Sequence, residues 1–110
     1  MKREIKSFVK LELSLYRLKK VELKNRELNS VADYHYFCML RHIVTGIEIA
    51  LSTLPKEIKQ YAIFRYFGQR EFKRTCIAKK FKVSERTVAR WDDKLLRCVA
   101  LYMGVLKNEA

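Results

Sequence analysis

The spacing of small, apolar and capping residues between Arg74 and Asp93 restricts this stretch to two short helices that cross at a tight turn. The first helix offers a small side chain, Ala78, at the place where a second helix can approach closely. Ser84 is a favourable N-cap for that second helix, because its hydroxyl can accept a hydrogen bond from a backbone N–H of the first turn. We therefore expect the second helix to begin at Glu85.

Apolar residues on both helices recur at the spacing of one buried face. We expect the following set to pack between them: Ile77, Ala78, Phe81, Val83, Val88 and Trp91. Leu95 and Val99 continue this stripe along the second helix. The same register turns Glu85, Arg86 and Arg90 outward.

The turn itself departs from the usual pattern. Lys82 stands where glycine is common because a positive φ is needed, and a lysine can adopt that conformation at a cost of about 1 kcal/mol. The first helix begins near Lys73 or Arg74 and lacks the usual Ser, Thr or Asp cap. An ordinary buried helical hairpin is the alternative interpretation. The second cap, the crossing alanine and the outward basic residues together favour a helix-turn-helix.

The charge balance of the chain indicates a polyanionic partner. The sequence contains 24 Lys and Arg but 12 Asp and Glu, which gives a formal net charge of +12. A nucleic acid is the commonest polyanionic partner of a soluble protein of this size, and an anionic membrane surface is the rival. Together with the helix-turn-helix pattern, the charge points to double-stranded DNA. No apolar run approaches the roughly 18 residues that span a bilayer, and no signal peptide is visible. We therefore expect a cytoplasmic protein that does not enter a membrane.

Turn-forming residues are scarce, since the 110 residues include one Pro and three Gly. A sheet protein needs many turns, so we predict an all-α chain of five helices. Apolar residues at three- and four-residue steps predict one long amphipathic first helix over residues 2–28. The apolar stripe of this helix consists of Ile5, Phe8, Leu11, Leu15, Leu18 and Leu28.

A second helix should follow directly. Ser30 and Asp33 resemble a capping box at its start, and its apolar pattern continues to about Leu51. The pattern is wide enough to need partners on more than one side. The residues of this face are Tyr36, Phe37, Leu40, Ile43, Val44, Ile47 and Leu51.

A third helix should carry Pro55 in its first turn, where the missing N–H costs nothing. It should extend to Phe67, with Gly68 as its C-cap. We place a boundary before this helix. Residues 1–53 are expected to form a supporting helical arm or hairpin, and residues 54–110 a DNA-binding domain.

Other site classes find little support. Cys38, Cys76 and Cys98 lack C-x-x-C spacing, which fits reduced thiols better than disulfides. His35, Cys38 and His42 share one helical face, but no suitably spaced fourth ligand accompanies them, so we predict no metal site. A Gly-rich phosphate loop, a nucleophile beside a base and a carboxylate cluster are all missing, so we predict neither an enzyme nor a cofactor.

The segment L-P-K-E-I-K-Q-Y-A-I-F-R-Y-F-G, residues 54–68, followed by the helix-turn-helix pattern, resembles the fourth conserved region of bacterial sigma factors. The resemblance covers residues 54 to about 100. It is closer still to the sigma-like regulators of phages of Gram-positive bacteria, the RinA and ArpU type. The matching strings are Leu54-Pro55, Arg65-Tyr66-Phe67-Gly68, Ile77-Ala78, residues 84–88 and Arg90-Trp91. The resemblance implies a transcription regulator of a phage or prophage operon, acting on promoter-proximal DNA in a bacterial host cell.

The second helix of the motif is the expected recognition helix. Arg86 and Arg90 can each donate two hydrogen bonds to a guanine edge in the major groove, and Glu85 can accept one from cytosine. Phosphate contacts are predicted for Ser84, Thr87, Lys79, Lys80, Lys82, Lys94, Arg70, Lys73 and Arg74.

A protein-interaction adaptor is the alternative function. Its apolar first and second helices would bind RNA polymerase, or would serve in a small terminase component. The stripe of the first helix also leaves pairing with a second copy of the chain open. Salt-dependent binding to duplex DNA distinguishes direct recognition from the adaptor.

Overall fold

The computed structural model describes residues 1–25, 27–68 and 70–106. These residues form α-helices and connecting turns, with no strand among them, which confirms the predicted all-α chain of five helices. The helices are α1 Arg3–Asn25, α2 Val31–Thr53, α3 Lys56–Tyr66, α4 Arg74–Phe81 and α5 Glu85–Tyr102.

One hydrophobic cluster joins side chains from all five helices. Its fully buried members include Val9, Leu13, Ile47, Tyr61, Ile77, Val88, Leu95 and Val99. Helix α5 packs against α1, α2, α3 and α4, so it runs through the centre of the packing. Residues 1–53 and 54–106 therefore contribute to a common core.

Helix α1 buries a different face from the predicted stripe. Phe8, Leu11 and Leu18 are 40%, 56% and 69% exposed, whereas Val9 and Leu13 are fully buried. The prediction was wrong because α1 carries apolar residues on two faces, and α2, α3 and α5 cover the face that contains Val9 and Leu13. The predicted length was also too great, since α1 ends at Asn25 and the exposed Leu28 lies beyond it.

The start of α2 is capped as predicted. Ser30 Oγ accepts a hydrogen bond of 3.1 Å from the Asp33 backbone N–H, and an Asp33 carboxylate oxygen accepts one of 3.2 Å from Asn29 N–H. The apolar face of α2 is confirmed, with Tyr36 and Phe37 half-buried and the other five residues buried. The helix continues to Thr53, two residues further than expected.

The ends of α3 differ slightly from the prediction. Pro55 precedes the helix as its N-cap and does not lie in its first turn. At the other end, Phe67 is the C-cap and has a right-handed conformation, so Gly68 lies one residue further on. The C-terminal end of α3 therefore does not need a glycine in a left-handed conformation.

Helix α5 ends against α2 at a glycine. A Cβ atom added to Gly46 would lie 3.0 Å from the Tyr102 carbonyl oxygen and 3.2 Å from Met103 Cγ. One turn earlier on α2, His42 Nε2 lies 2.9 Å from the Met103 carbonyl oxygen, and the ring N–H donates to it. Gly46 therefore permits the close approach that lets α2 satisfy a carbonyl at the end of α5.

We predict that Gly46→Ala lowers the free energy of unfolding by about 1–3 kcal/mol, the usual cost of overpacking, because the added methyl group meets the backbone of Tyr102. Chemical denaturation measures the change. The control is Thr45→Ala at the adjacent exposed position, where the change should stay within about 0.5 kcal/mol. At an exposed helix position, replacing glycine by alanine stabilises the helix by about 1 kcal/mol. A Gly46→Ala variant more stable than the native chain would therefore contradict the close approach.

Candidate nucleic-acid interface

The turn between α4 and α5 forms around Lys82 in a left-handed conformation, with φ 57° and ψ 44°. The Lys82 N–H donates to the Lys79 carbonyl at 3.3 Å, and the Val83 N–H donates to the Ala78 carbonyl at 3.0 Å. These two bonds form a Schellman motif, which satisfies carbonyls at the end of α4. The prediction that lysine takes the glycine position is confirmed.

The start of α5 is fixed by a side-chain cap. Ser84 Oγ accepts from the Thr87 backbone N–H at 3.1 Å, and α5 begins at Glu85, both as predicted. The Thr87 hydroxyl lies 3.0 Å from the same Ser84 Oγ. Both hydroxyls therefore already have a partner within the cap. Ser84 is nevertheless exposed, and Thr87 is partly exposed.

The predicted packing between α4 and α5 is confirmed. Ile77, Ala78 and Val88 are buried. The other members of the set, Phe81, Val83 and Trp91, are partly buried and pack against the core cluster. The Trp91 ring centroid lies 5.7 Å from that of Phe81, edge to face, and 6.0 Å from that of Tyr61. Trp91 thus joins the back of α5 to both α4 and α3.

The predicted base-contacting residues lie on the opposite face of α5. Glu85, Arg86 and Arg90 are all exposed. Within the described chain, neither arginine has a hydrogen bond or ion pair. Arg86 and Arg90 line a shallow open depression with Ala89, Asp93 and Lys94. Two arginines one turn apart are therefore free to donate to a ligand.

The predicted phosphate-contacting residues fall into groups around this face. Lys79 and Lys80 are exposed near the end of α4, and Lys82 is exposed in the turn. Lys94 lies two turns into α5, beside the two arginines. A third group lies at the other end of α4, where all members are exposed: Arg70, Lys73 and Arg74. Lys73 is the N-cap of α4 and makes no side-chain cap bond.

We predict that Lys82→Gly raises the free energy of unfolding by up to about 1 kcal/mol, because glycine adopts the left-handed conformation without the penalty that a side chain carries. Urea denaturation measures the gain. Lys79→Ala, which removes a similar exposed charge from a regular helix position, should change stability by less than about 0.5 kcal/mol. A destabilised Lys82→Gly would be incompatible with a positive φ at this residue.

A buried polar cluster that the sequence did not predict lies behind the α5 face. Asp92 is 3% exposed, and one of its carboxylate oxygens accepts hydrogen bonds from the Tyr61 hydroxyl at 2.7 Å and the Tyr66 hydroxyl at 2.5 Å. Arg65 Nη1 lies 3.4 Å from the same oxygen, and Lys10 Nζ lies 4.0 Å from the other. The carboxylate thus connects α5 to α3 and α1.

The sequence did contain a signal for this cluster. Asp92 lies four residues after Val88 and three before Leu95, so it falls on the buried stripe of α5. A carboxylate on such a stripe needs hydrogen-bonding partners, because an isolated buried charge is very costly. The partners themselves were not predictable, since Tyr61, Tyr66 and Lys10 meet Asp92 only after the helices pack.

Burial, reinforced by the hydrogen bonds to Asp92, raises the pKa of the Tyr61 and Tyr66 hydroxyls well above the usual value. Below pH about 10, the ordinary tyrosine pKa, folded and unfolded chains both keep these protons. At higher pH the unfolded chain loses protons that the folded chain retains. The free energy of unfolding therefore falls as the pH rises above this value.

We predict that Tyr66→Phe makes this alkaline fall shallower and lowers the free energy of unfolding at neutral pH by about 1.5–3 kcal/mol, the range for a hydrogen bond to a charged group. The exposed Tyr34, changed to Phe, is the control and should have little effect on either quantity. Denaturant titrations at neutral and alkaline pH measure both. An alkaline fall as steep as that of the native chain would show that the Tyr66 hydroxyl does not donate to Asp92.

The candidate metal ligands lie apart from this interface, whereas the exposed thiol of Cys76 lies on α4. His35, Cys38 and His42 are exposed on α2, and the described residues contain no group of three or more metal-ligating side chains placed to hold an ion. Cys38, Cys76 and Cys98 are free thiols. None of the helices in the described ranges is both long and apolar enough to cross a membrane.

No protein-family model, curated protein or solved structure matches this chain. The resemblance to sigma region 4 therefore stays a prediction. The candidate interface rests on the exposed arginines of α5, the capped turn that precedes them and the basic residues on either side.

Proposed function

We propose that this chain is a sequence-specific DNA-binding transcription regulator of a phage or prophage operon. In this proposal α4 and α5 are a helix-turn-helix, and α5 is the recognition helix in the major groove. The observation that carries the proposal is the exposure of Arg86 and Arg90, one turn apart at the start of α5, without partners among the described residues. Arginine at such positions donates in pairs to guanine O6 and N7.

The rigidity of the back of α5 supports this role. Trp91 packs against Phe81 and Tyr61, and Asp92 is held by the hydroxyls of α3. These contacts fix the rotation of α5 about its own axis, so the face of the helix that carries Arg86 and Arg90 is turned to the surface. Base recognition needs side chains presented in a fixed register, and the phosphate contacts supply that register on the duplex.

The charge distribution also supports DNA as the partner. Basic residues lie at both ends of α4 and along the outer face of α5, on either side of the two arginines. Phosphate contacts of this kind release counterions, and each one contributes about 0.9 to the slope of log K against log salt. A measured slope of several units on any duplex is the expected signature of the whole interface.

An adaptor that binds RNA polymerase or another protein is the second candidate. The observation that favours it is the exposed apolar stripe of α1, which includes Leu11, Leu18 and Val21 at 56%, 69% and 58% exposure. The same stripe is available for pairing with a second copy of the chain. Failure to bind duplex DNA at any salt concentration would favour the adaptor.

We predict that Arg86→Ala and Arg90→Ala each weaken binding to the specific site by about 1–3 kcal/mol and change binding to random duplex little, because base contacts carry sequence information. Lys79→Ala should weaken both alike, since a phosphate contact is independent of sequence. Competition binding to a footprinted site and to a scrambled duplex, at two salt concentrations, measures the difference. Equal losses on both duplexes for the arginine variants would show that α5 is not the recognition helix.

A further inference from the structure

Helix α1 presents cations beside the start of α4, outside the interface described above. Lys6 and Lys10 lie one turn apart on α1. Lys10 Nζ lies 4.0 Å from one Asp92 carboxylate oxygen, while Arg65 Nη1 lies 3.4 Å from the other. The buried carboxylate therefore brings a lysine of α1 and an arginine of α3 to the same place.

This place borders a cavity of about 310 Å³ between α1, the end of α3 and the segment before α4. Lys10 and Ser14 line it from α1, and Arg65 and Tyr66 line it from α3. Glu71 and Phe72 complete the wall. Two cationic side chains and two hydroxyl-bearing ones thus border an opening at the surface.

The charges around the cavity are unbalanced. Among the described residues, Lys10, Arg65 and Glu71 line the cavity, and Lys6, Arg74 and Asp92 act electrostatically on Lys10. Four cations thus accompany two carboxylates. Burial lowers the pKa of the Lys10 ammonium, and Asp92 opposes the shift. Repulsion from the charges of Arg65, Lys6 and Arg74 lowers the pKa of Lys10 further. An additional anion at this point would relieve the repulsion.

Three other cations of α1 are already engaged. Arg17 donates to the Phe67 carbonyl at 3.1 Å, Lys19 pairs with Glu12, and Lys20 pairs with Glu48 at 3.0 Å. Lys6 is exposed and has no such partner among the described residues. Its charge is therefore available to a ligand, and it lies close enough to Lys10 to act on that ammonium electrostatically.

We infer that Lys6, Lys10, Arg65 and Arg74 form a second contact to the sugar-phosphate backbone of the duplex that α5 recognises. This inference rests on the proposed function and extends its footprint onto α1. A backbone phosphate is favoured over a free anion because Arg74 is continuous with Lys73 and Arg70, the exposed cations before α4. The group then forms one basic strip from the segment before α4 to α1, and gives the N-terminal helix a direct part in binding.

Lys6→Ala is the variant that tests the inference, because Lys6 is exposed and its removal leaves the Asp92 cluster intact. Lys10→Ala would also remove an ion-pair partner of the buried Asp92 carboxylate. The matched control is Lys24→Ala, the same residue type, exposed on the same helix about 27 Å further along. Lys6→Ala should lower the salt slope by about 0.9 and weaken specific and random duplexes by the same factor, whereas Lys24→Ala should match the native chain.

Duplex length provides a second measurement. Removing one helical turn of DNA from each end in turn should, at one end only, weaken native binding at least as much as Lys6→Ala does. On that shortened duplex the native chain and Lys6→Ala should bind with equal affinity. Additive losses would overturn the inference, because they would show that Lys6 and the removed DNA do not touch.

The outcomes separate this inference from the proposed function. If the native chain shows neither a salt slope nor a sequence preference, the proposed function fails. If the native chain binds its site but Lys6→Ala and Lys24→Ala behave alike, only the inference is overturned. A third outcome would assign the cavity to free phosphate and also overturn the inference. In that case inorganic phosphate raises the melting temperature of the DNA-free native chain, and Lys6→Ala leaves the salt slope of DNA binding unchanged.

Discussion

The arrangement of the helices depends on the hydrogen bonds and ion pairs of the buried Asp92 carboxylate. An unpaired charge at this depth is prohibitively costly, so α5 is compatible with the core only where donors surround it. Tyr61, Tyr66 and Arg65 supply them from α3, and Lys10 approaches from α1. One side chain thereby sets both the rotation of α5 and the position of two other helices, and the opposite face of α5 is left to carry Arg86 and Arg90.

Features that depend on a few neighbouring residues were predictable from the sequence. The left-handed Lys82, the Ser84 cap and the start of α5 at Glu85 follow from local hydrogen bonding, and the structure confirms each. The buried stripe of α5 was predictable because its apolar residues lie on one face. The outward direction of Arg86 and Arg90 follows from the same periodicity.

Features that depend on distant contacts were not predictable. Helix α1 has apolar side chains on two faces, and only the position of α2, α3 and α5 decides that Val9 and Leu13 are buried while Leu11 and Leu18 are not. The same holds for Asp92, whose partners come from residues about 30 positions earlier in α3 and from the start of the chain. Periodicity gives the candidates for burial, and tertiary packing selects among them.

The left-handed turn at Lys82 limits how this sequence can change. Most residues with a side chain are strained there, so exchanging one for another leaves the strain in place, and glycine alone relieves it fully. Glycine would also remove a cation from the point where the two helices meet. Stability and positive charge therefore oppose each other at this residue, and a sequence that keeps lysine retains the charge at the expense of a less stable turn.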